Sequence, residues 1–239
     1  MSQEYERPRA TCWLNACFLQ KHPFLPSCFP LRSYRIERQS SGPSSRARFR
    51  ALDEARAHPI VWIAGPPGAG KSTLVASYVE ARKAPGLWFQ TDAGDGDPAT
   101  FFHYLGLAAA SIGARGARKA ASLPRYHPGY ERELSAFTRR FLREFFALFP
   151  AGSIFVVDNF TEANGAPAWR QVFADALTEL PAGVNIVFLS RTGVPPEMSR
   201  LLASQAIAQV GWEALRFTPE ETAAALGRAG ADRDAIDAI

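Results

Sequence analysis

Eight residues constrain this chain more than any others: Gly65-Pro66-Pro67-Gly68-Ala69-Gly70-Lys71-Ser72, set directly after the apolar run Ile60-Val61-Trp62-Ile63-Ala64. The run reads as a buried strand. From Lys71 onward the apolar residues recur at helical spacing, with Leu74, Val75, Tyr78 and Val79 on one side. A glycine loop between a strand and a helix lets successive backbone N–H groups turn toward a phosphate, and the positive N-terminus of the helix adds to the attraction. In that arrangement Lys71 reaches the β and γ phosphates and Ser72 supplies a hydroxyl to Mg²⁺. Thr73 completes the stretch and is not the expected metal ligand.

The rest of the chain supplies the elements such a loop needs. Gly86-Leu87-Trp88-Phe89-Gln90 reads as the next strand and completes a βαβ unit. Asp97-Pro98 opens a helix, Asp as cap and Pro at the first helical position, carrying Phe101, Phe102, Leu105 and Leu107. A Gly/Arg-rich stretch at 113–119 reads as a loop. Residues 131–149 form an amphipathic helix with Leu134, Phe137, Phe141, Phe145 and Leu148 at spacings of three and four, a stripe that reads as core. Strands at 154–157 and 184–189 flank a helix at about 169–180. Short apolar strands alternating with helices predict an α/β fold, a parallel β-sheet covered on both faces.

Three segments follow from this reading. Residues 1–43 mix Cys, Pro, Ser and Arg without periodicity and are expected to be a disordered arm that ends in the linker-like Ser40-Ser41-Gly42-Pro43-Ser44-Ser45. The α/β domain is expected over 44–211, beginning with a helix at 46–57. From 212 a new module starts, marked by the capping box Thr218-Pro219-Glu220-Glu221 and an Ala-rich helix to about 226. Too little chain follows for an independent core.

Charge follows the same division. Of 27 Lys/Arg and 23 Asp/Glu, residues 1–50 hold nine and three, leaving 18 basic against 20 acidic in the remainder. Residues 1–50 therefore carry a net +6 and the remainder −2, so the rest of the chain lacks the overall basic excess of a nucleic-acid binder. No run approaches the ~20 apolar residues of a membrane span and the N-terminus lacks a signal-peptide core, so a cytoplasmic protein with no membrane association is expected. Cys12, Cys17 and Cys28, with His22, match none of the paired zinc-ligand spacings and read as reduced thiols of the arm.

Three further residues are candidates for chemistry. Asp158 ends the strand at 154–157, where a carboxylate would help hold Mg²⁺, often through water; on the strand pattern alone it reads equally as an ordinary strand end. Glu162 is near enough to orient a hydrolytic water, and reads also as an exposed loop glutamate. Arg191, after Ser190 at the next strand end, could sense a γ-phosphate or be a surface arginine. The residue beside Asp158 is Asn159, which cannot accept a proton as a carboxylate can, so fast hydrolysis is not expected.

Together these motifs resemble the ATP-dependent bacterial regulators of the MalT/LuxR type, in the STAND class of signal-transduction ATPases. The resemblance runs from about 46 to the end. It rests on the loop at 65–73, on Trp88-Phe89-Gln90-Thr91-Asp92 through Asp97-Pro98-Ala99-Thr100-Phe101, on the strand into Asp158-Asn159-Phe160, on Leu189-Ser190-Arg191, and on Leu215-Arg216-Phe217-Thr218-Pro219-Glu220-Glu221. It implies a P-loop NTPase domain that binds ATP or ADP with Mg²⁺ and a small winged-helix lid whose first helix is 218–226. It further implies Arg191 as γ-phosphate sensor, and self-association or a regulatory protein partner in the ATP form. Many relatives carry a second Asp where this chain has Asn159, which implies slow turnover or binding without turnover. Relatives continue into a sensor region and a DNA-binding or other output domain, so the chain is expected to be the ATPase part of such a regulator, with no DNA-binding module of its own. A vestigial nucleotide-binding fragment and a small-molecule kinase remain as alternatives, and adenine is favoured over guanine by the resemblance alone, no Asn-Lys-x-Asp motif being visible.

Overall fold

The computed structural model describes residues 43–112, 116, 118–160, 170, 174–178 and 180–216. They build a five-stranded, all-parallel sheet in the order β2-β3-β4-β1-β5. The strands are β1 Ile60–Ala64, β2 Gly86–Gln90, β3 Ser153–Asp158, β4 Val184–Ser190 and β5 Ile207–Val210. The helices of regular length are α1 Pro43–Ala55, α2 Lys71–Arg82, α3 Pro98–Ala109 and α4 Leu134–Phe146, with the short α5 Ser199–Ala203 before β5.

Because side chains alternate across a strand, each strand contributes to two cores. On one face Trp62, Phe89, Phe155, Val157 and Phe188 meet Phe101, Phe102 and Leu105 of α3 and Phe141 and Phe145 of α4. On the other, Val61, Ile63, Val156, Val187 and Leu189 meet Leu52 of α1 and Val75, Tyr78 and Val79 of α2. Strands buried on both faces read as continuous apolar runs, which is why β1, β3 and β4 stand out in the sequence. This architecture is the α/β P-loop NTPase fold, the parallel sheet flanked by helices.

At the N-terminal end of the sheet, Arg56 locks α1 in place. Its guanidinium donates to Asn185 Oδ1 at 3.0 Å, the Tyr78 hydroxyl at 3.2 Å and the Gly152 carbonyl at 3.3 Å. The Asn185 amide donates back to the carbonyls of Arg56 and His58 at 3.0 and 2.9 Å. Helix α3 begins as expected: Asp97 accepts from the Thr100 N–H at 2.9 Å, with Pro98 in the first turn.

Several boundaries differ from the sequence reading. Helix α1 starts at Pro43, inside the stretch that reads as linker, because proline suits the first turn of a helix. The helix expected at 131–149 is a 3₁₀ segment, Pro128–Glu133, followed by α4, and it gives way to a turn before Pro150, which disfavours helical backbone in the residue ahead of it. Within the expected 113–119 loop, Gly116, Arg118 and Lys119 are helical; a Cβ on Gly116 would lie 2.2 Å from the Ala109 carbonyl oxygen, so glycine there serves close approach. Of the helix expected at 169–180, Arg170 and 174–177 are helical and 169, 171–173 and 179 lie outside the described residues. The arm at 1–42, with Cys12, Cys17, Cys28 and His22, and the helix at 218–226 also lie outside them. Among the described residues no helix is long and apolar enough to cross a membrane, and no group of three His, Cys, Asp or Glu is placed to hold a metal ion.

Gly86 opens β2 opposite Ile154, and a Cβ built there would sit 1.9 Å from the Ile154 carbonyl oxygen. Replacing it with alanine must push β2 off β3. Gly86→Ala is expected to destabilise the protein by at least about 2 kcal/mol, read as a lower urea midpoint at unchanged slope.

Candidate functional site

Parallel strands place all their C-terminal ends on one side, and the cleft lies there. The loop leaves the sheet from β1, an interior strand between β4 and β5. Gly68 and Gly70 adopt φ of 78° and 76°, in the left-handed region that glycine enters without Cβ strain. Gly70 is the N-cap of α2, and no side chain caps the helix. The orphan N–H groups of its first turn are therefore left to a ligand in the loop.

The loop, the end of β3 at Asp158 with Asn159, and the end of β4 at Leu189 and Ser190 with Arg191 line a cleft of about 340 Å³. Lys71 Nζ donates to the Gly65 and Pro66 carbonyls at 2.7 and 2.9 Å. Burial pushes its ammonium pKa down, Asp158 opposes this, and the charge of Arg191 adds to it. Across the cleft the Ser72 hydroxyl donates to Asp158 Oδ2 at 2.9 Å, while the Asn159 N–H donates to Oδ1 at 2.9 Å. The main chain of Asp158 is held as firmly: both the N–H and the hydroxyl of the buried Thr91 donate to its carbonyl, at 2.9 and 2.8 Å.

Asp158 is 5% exposed, and burial drives its carboxyl pKa up. The Ser72 hydroxyl, the Asn159 N–H, the nearby Trp88 indole and the charge of Lys71 pull the other way. Asn159 itself sits at φ 57°, a left-handed conformation that asparagine tolerates better than most residues.

The three strand ends are laced together. Gly65 N–H donates to the Ser190 carbonyl at 3.2 Å and Phe160 N–H to the Leu189 carbonyl at 3.1 Å. The turn after β5 closes beneath the loop: a Cβ on Gly65 would meet Leu215 Cδ1 at 3.4 Å and Trp212 Cε3 at 3.6 Å.

Of the residues singled out in the sequence, Pro67, Gly68, Ala69, Gly70, Lys71, Ser72, Thr73, Asp158 and Arg191 line one cleft, with Gly65 and Pro66 at its base bonded to Lys71. Arg191 is exposed at its rim. Glu162 lies outside the described residues. Thr91 and Trp62 carry no site role in the sequence reading, because each acts through a partner far away in sequence. The residues fit a magnesium nucleotide: main-chain donors for phosphate, a cation beside them, and the hydroxyl and carboxylate oxygens that a hard divalent ion prefers.

No protein-family model and no curated protein matches the chain. Among solved structures it is similar to the Walker-type ATPase PABY2304 of Pyrococcus abyssi, with 17% identity and a TM-score of 0.47 over 77% of this chain and 58% of that one. It is also similar to a DNA replication initiation factor, with 12% identity and a TM-score of 0.43 over 87% and 59% of the two chains. A third similarity is to a chain of the Drosophila ORC bound to DNA, with 16% identity and a TM-score of 0.44 over 75% and 95%. The alignments thus span under two thirds of the first two of these proteins. The sheet order and the loop geometry carry the fold assignment by themselves.

The raised carboxyl of Asp158 has a stability consequence with a definite sign. A carboxyl whose pKa is higher folded than unfolded favours the fold while protonated, and that advantage is lost as pH rises through the raised value. Asp158→Asn is therefore expected to raise the thermal midpoint at pH 7.5 in magnesium- and nucleotide-free buffer, with the gain vanishing below about pH 4, where both carboxyl states are protonated. Thermal melts of the two proteins across pH 3–8 check it.

Proposed function

We propose that this chain is the ATP-binding switch domain of a bacterial regulator of the MalT/LuxR type, in the STAND class, and that it hydrolyses ATP slowly. The observation that carries the nucleotide reading is the joining of Ser72 to Asp158 at 2.9 Å across a cleft whose other wall is the glycine loop with Lys71. The regulator reading rests on the ordered series of motifs from the loop to Glu221.

The residues divide the work. Main-chain N–H groups of the loop and the first turn of α2 bind the phosphate chain. Lys71 exchanges its bonds to the Gly65 and Pro66 carbonyls for phosphate oxygens, so the loop itself holds the ammonium in place beforehand. Ser72 and Asp158 would hold Mg²⁺, which would supply charge neutralisation at the phosphate oxygens. Arg191, at the cleft rim, distinguishes ATP from ADP by contact with the γ-phosphate. Asn159 lines the cleft and can orient a water molecule, but its amide takes no proton from it, which keeps hydrolysis slow. A switch needs a ligand with different affinity for two arrangements, and the γ-phosphate is the group that differs. ATP then favours self-association or a regulatory protein partner, ADP a resting monomer.

Lys71→Ala is expected to weaken ATP and ADP binding at least tenfold by calorimetry while the protein stays folded. Unchanged affinity in the variant would refute the site. Asn159→Asp places a carboxylate in the cleft at a backbone geometry aspartate also tolerates, and is expected to raise steady-state phosphate release by about tenfold or more.

A further inference from the structure

One buried side chain contacts the chain just beyond two margins of the cleft, from the strand that leads into the third. Trp62 lies within β1, three residues before Gly65, and is 1% exposed. Its indole Nε1 donates to the Thr192 carbonyl at 3.0 Å. Its ring meets Phe160 edge-on at 5.5 Å and Phe188 at 5.1 Å, and those two rings contact each other at 4.9 Å. Phe160 is two residues after Asp158, and Thr192 is one residue after Arg191.

The bond to Thr192 acts where the sheet stops acting. Strand β4 ends at Ser190, and the chain turns away immediately after it. The Thr192 N–H donates to Ser190 Oγ at 3.1 Å, and the two hydroxyls lie 3.3 Å apart, which closes the turn locally. Those contacts are local to the turn; the Trp62 indole ties its Thr192 carbonyl to β1. A tryptophan suits the position because it combines an apolar ring for the core with one donor at its edge, and phenylalanine lacks the donor.

We propose that Trp62 is a positioning residue: by holding the Thr192 carbonyl it sets Arg191 in the cleft, and so governs the preference for ATP over ADP. This rests on the nucleotide reading above. Phosphates common to ATP and ADP are bound by the loop, which Trp62 does not touch through its indole N–H, so loss of that donor acts on the γ-phosphate alone.

The test uses the full chain and its variants Trp62→Phe, Arg191→Gln and the double variant. In nucleotide-free protein, hydrogen exchange over 190–193 is expected to rise in Trp62→Phe while β1 and β4 stay protected. ADP affinity is expected to hold, and the ATP-to-ADP affinity ratio to fall by about three- to tenfold, the worth of one hydrogen bond. Arg191→Gln alone should lower the ratio as well, and the double variant should lower it no further than Arg191→Gln does. Unchanged exchange at 190–193, a fall in ATP and ADP affinity by the same factor, or additive effects in the double variant would each overturn the proposal. Should Trp62→Phe fail to fold, Phe160→Leu, which loosens the ring from outside the strands, must produce the same rise at 190–193. If folded wild-type protein binds neither nucleotide, the nucleotide reading falls and the ATP preference with it, whereas the exchange measurement still decides the tie between Trp62 and the turn.

Discussion

The two-sided burial of β1 is the constraint on which the rest of the structure depends. Ile60 and Trp62 point to one core, Val61 and Ile63 to the other, and none is more than 1% exposed. Such a strand is stable only with partners on both edges and helices on both faces. Strands β4 and β5 take the edges, α1 and α2 one face, α3 and α4 the other. With its backbone bonded on both sides, the strand can release the chain only at its end. The glycine loop therefore emerges inside the sheet and not at its edge, flanked by the ends of its neighbours, where Ser190 and Asp158 are carried to it by β4 and β3. The cleft is a consequence of how the core is covered.

What was legible in the sequence follows from which signals are local. Strands β1 to β4 are apolar runs of the right length, the Asp97-Pro98 start of α3 is a local capping pattern, and the glycine loop between strand and helix is self-contained. Strand β5 was not anticipated: four residues with Ala208 and Gln209 in the middle carry almost no apolar signal, and only pairing with β1 makes them a strand. The strand order was not legible either, because β1 pairs with β4 across more than a hundred intervening residues. Gly86 and Gly116 read as a plain strand start and a loop glycine; the contacts that require them are with backbone elsewhere.

The site divides the same way. That Lys71, Ser72 and the loop glycines share one cleft was legible because they follow one another in a short pattern, and the place of Asp158 beside them because a strand end at the same sheet edge can be read from its apolar run. The left-handed backbone of Asn159 and the double anchoring of the Asp158 carbonyl by Thr91 belong to the folded arrangement alone. So does the Trp62 bond to Thr192, which joins residues 130 positions apart.

The direction of one hydrogen bond bears on how Ser72 and Asp158 would share a cation. Ser72 is the donor and Asp158 the acceptor, so the hydroxyl proton is committed to the carboxylate and the lone pairs of the serine oxygen remain for a cation. The other carboxylate oxygen accepts the Asn159 N–H. An acid engaged on both oxygens acts mainly by orienting Ser72 and by its charge, with direct coordination left to its remaining lone pairs. This also explains why the carboxylate is buried at a cost to the ligand-free fold. A solvated carboxylate would serve as well for charge alone, but it could not hold the serine hydroxyl in one rotamer at the entrance of α2.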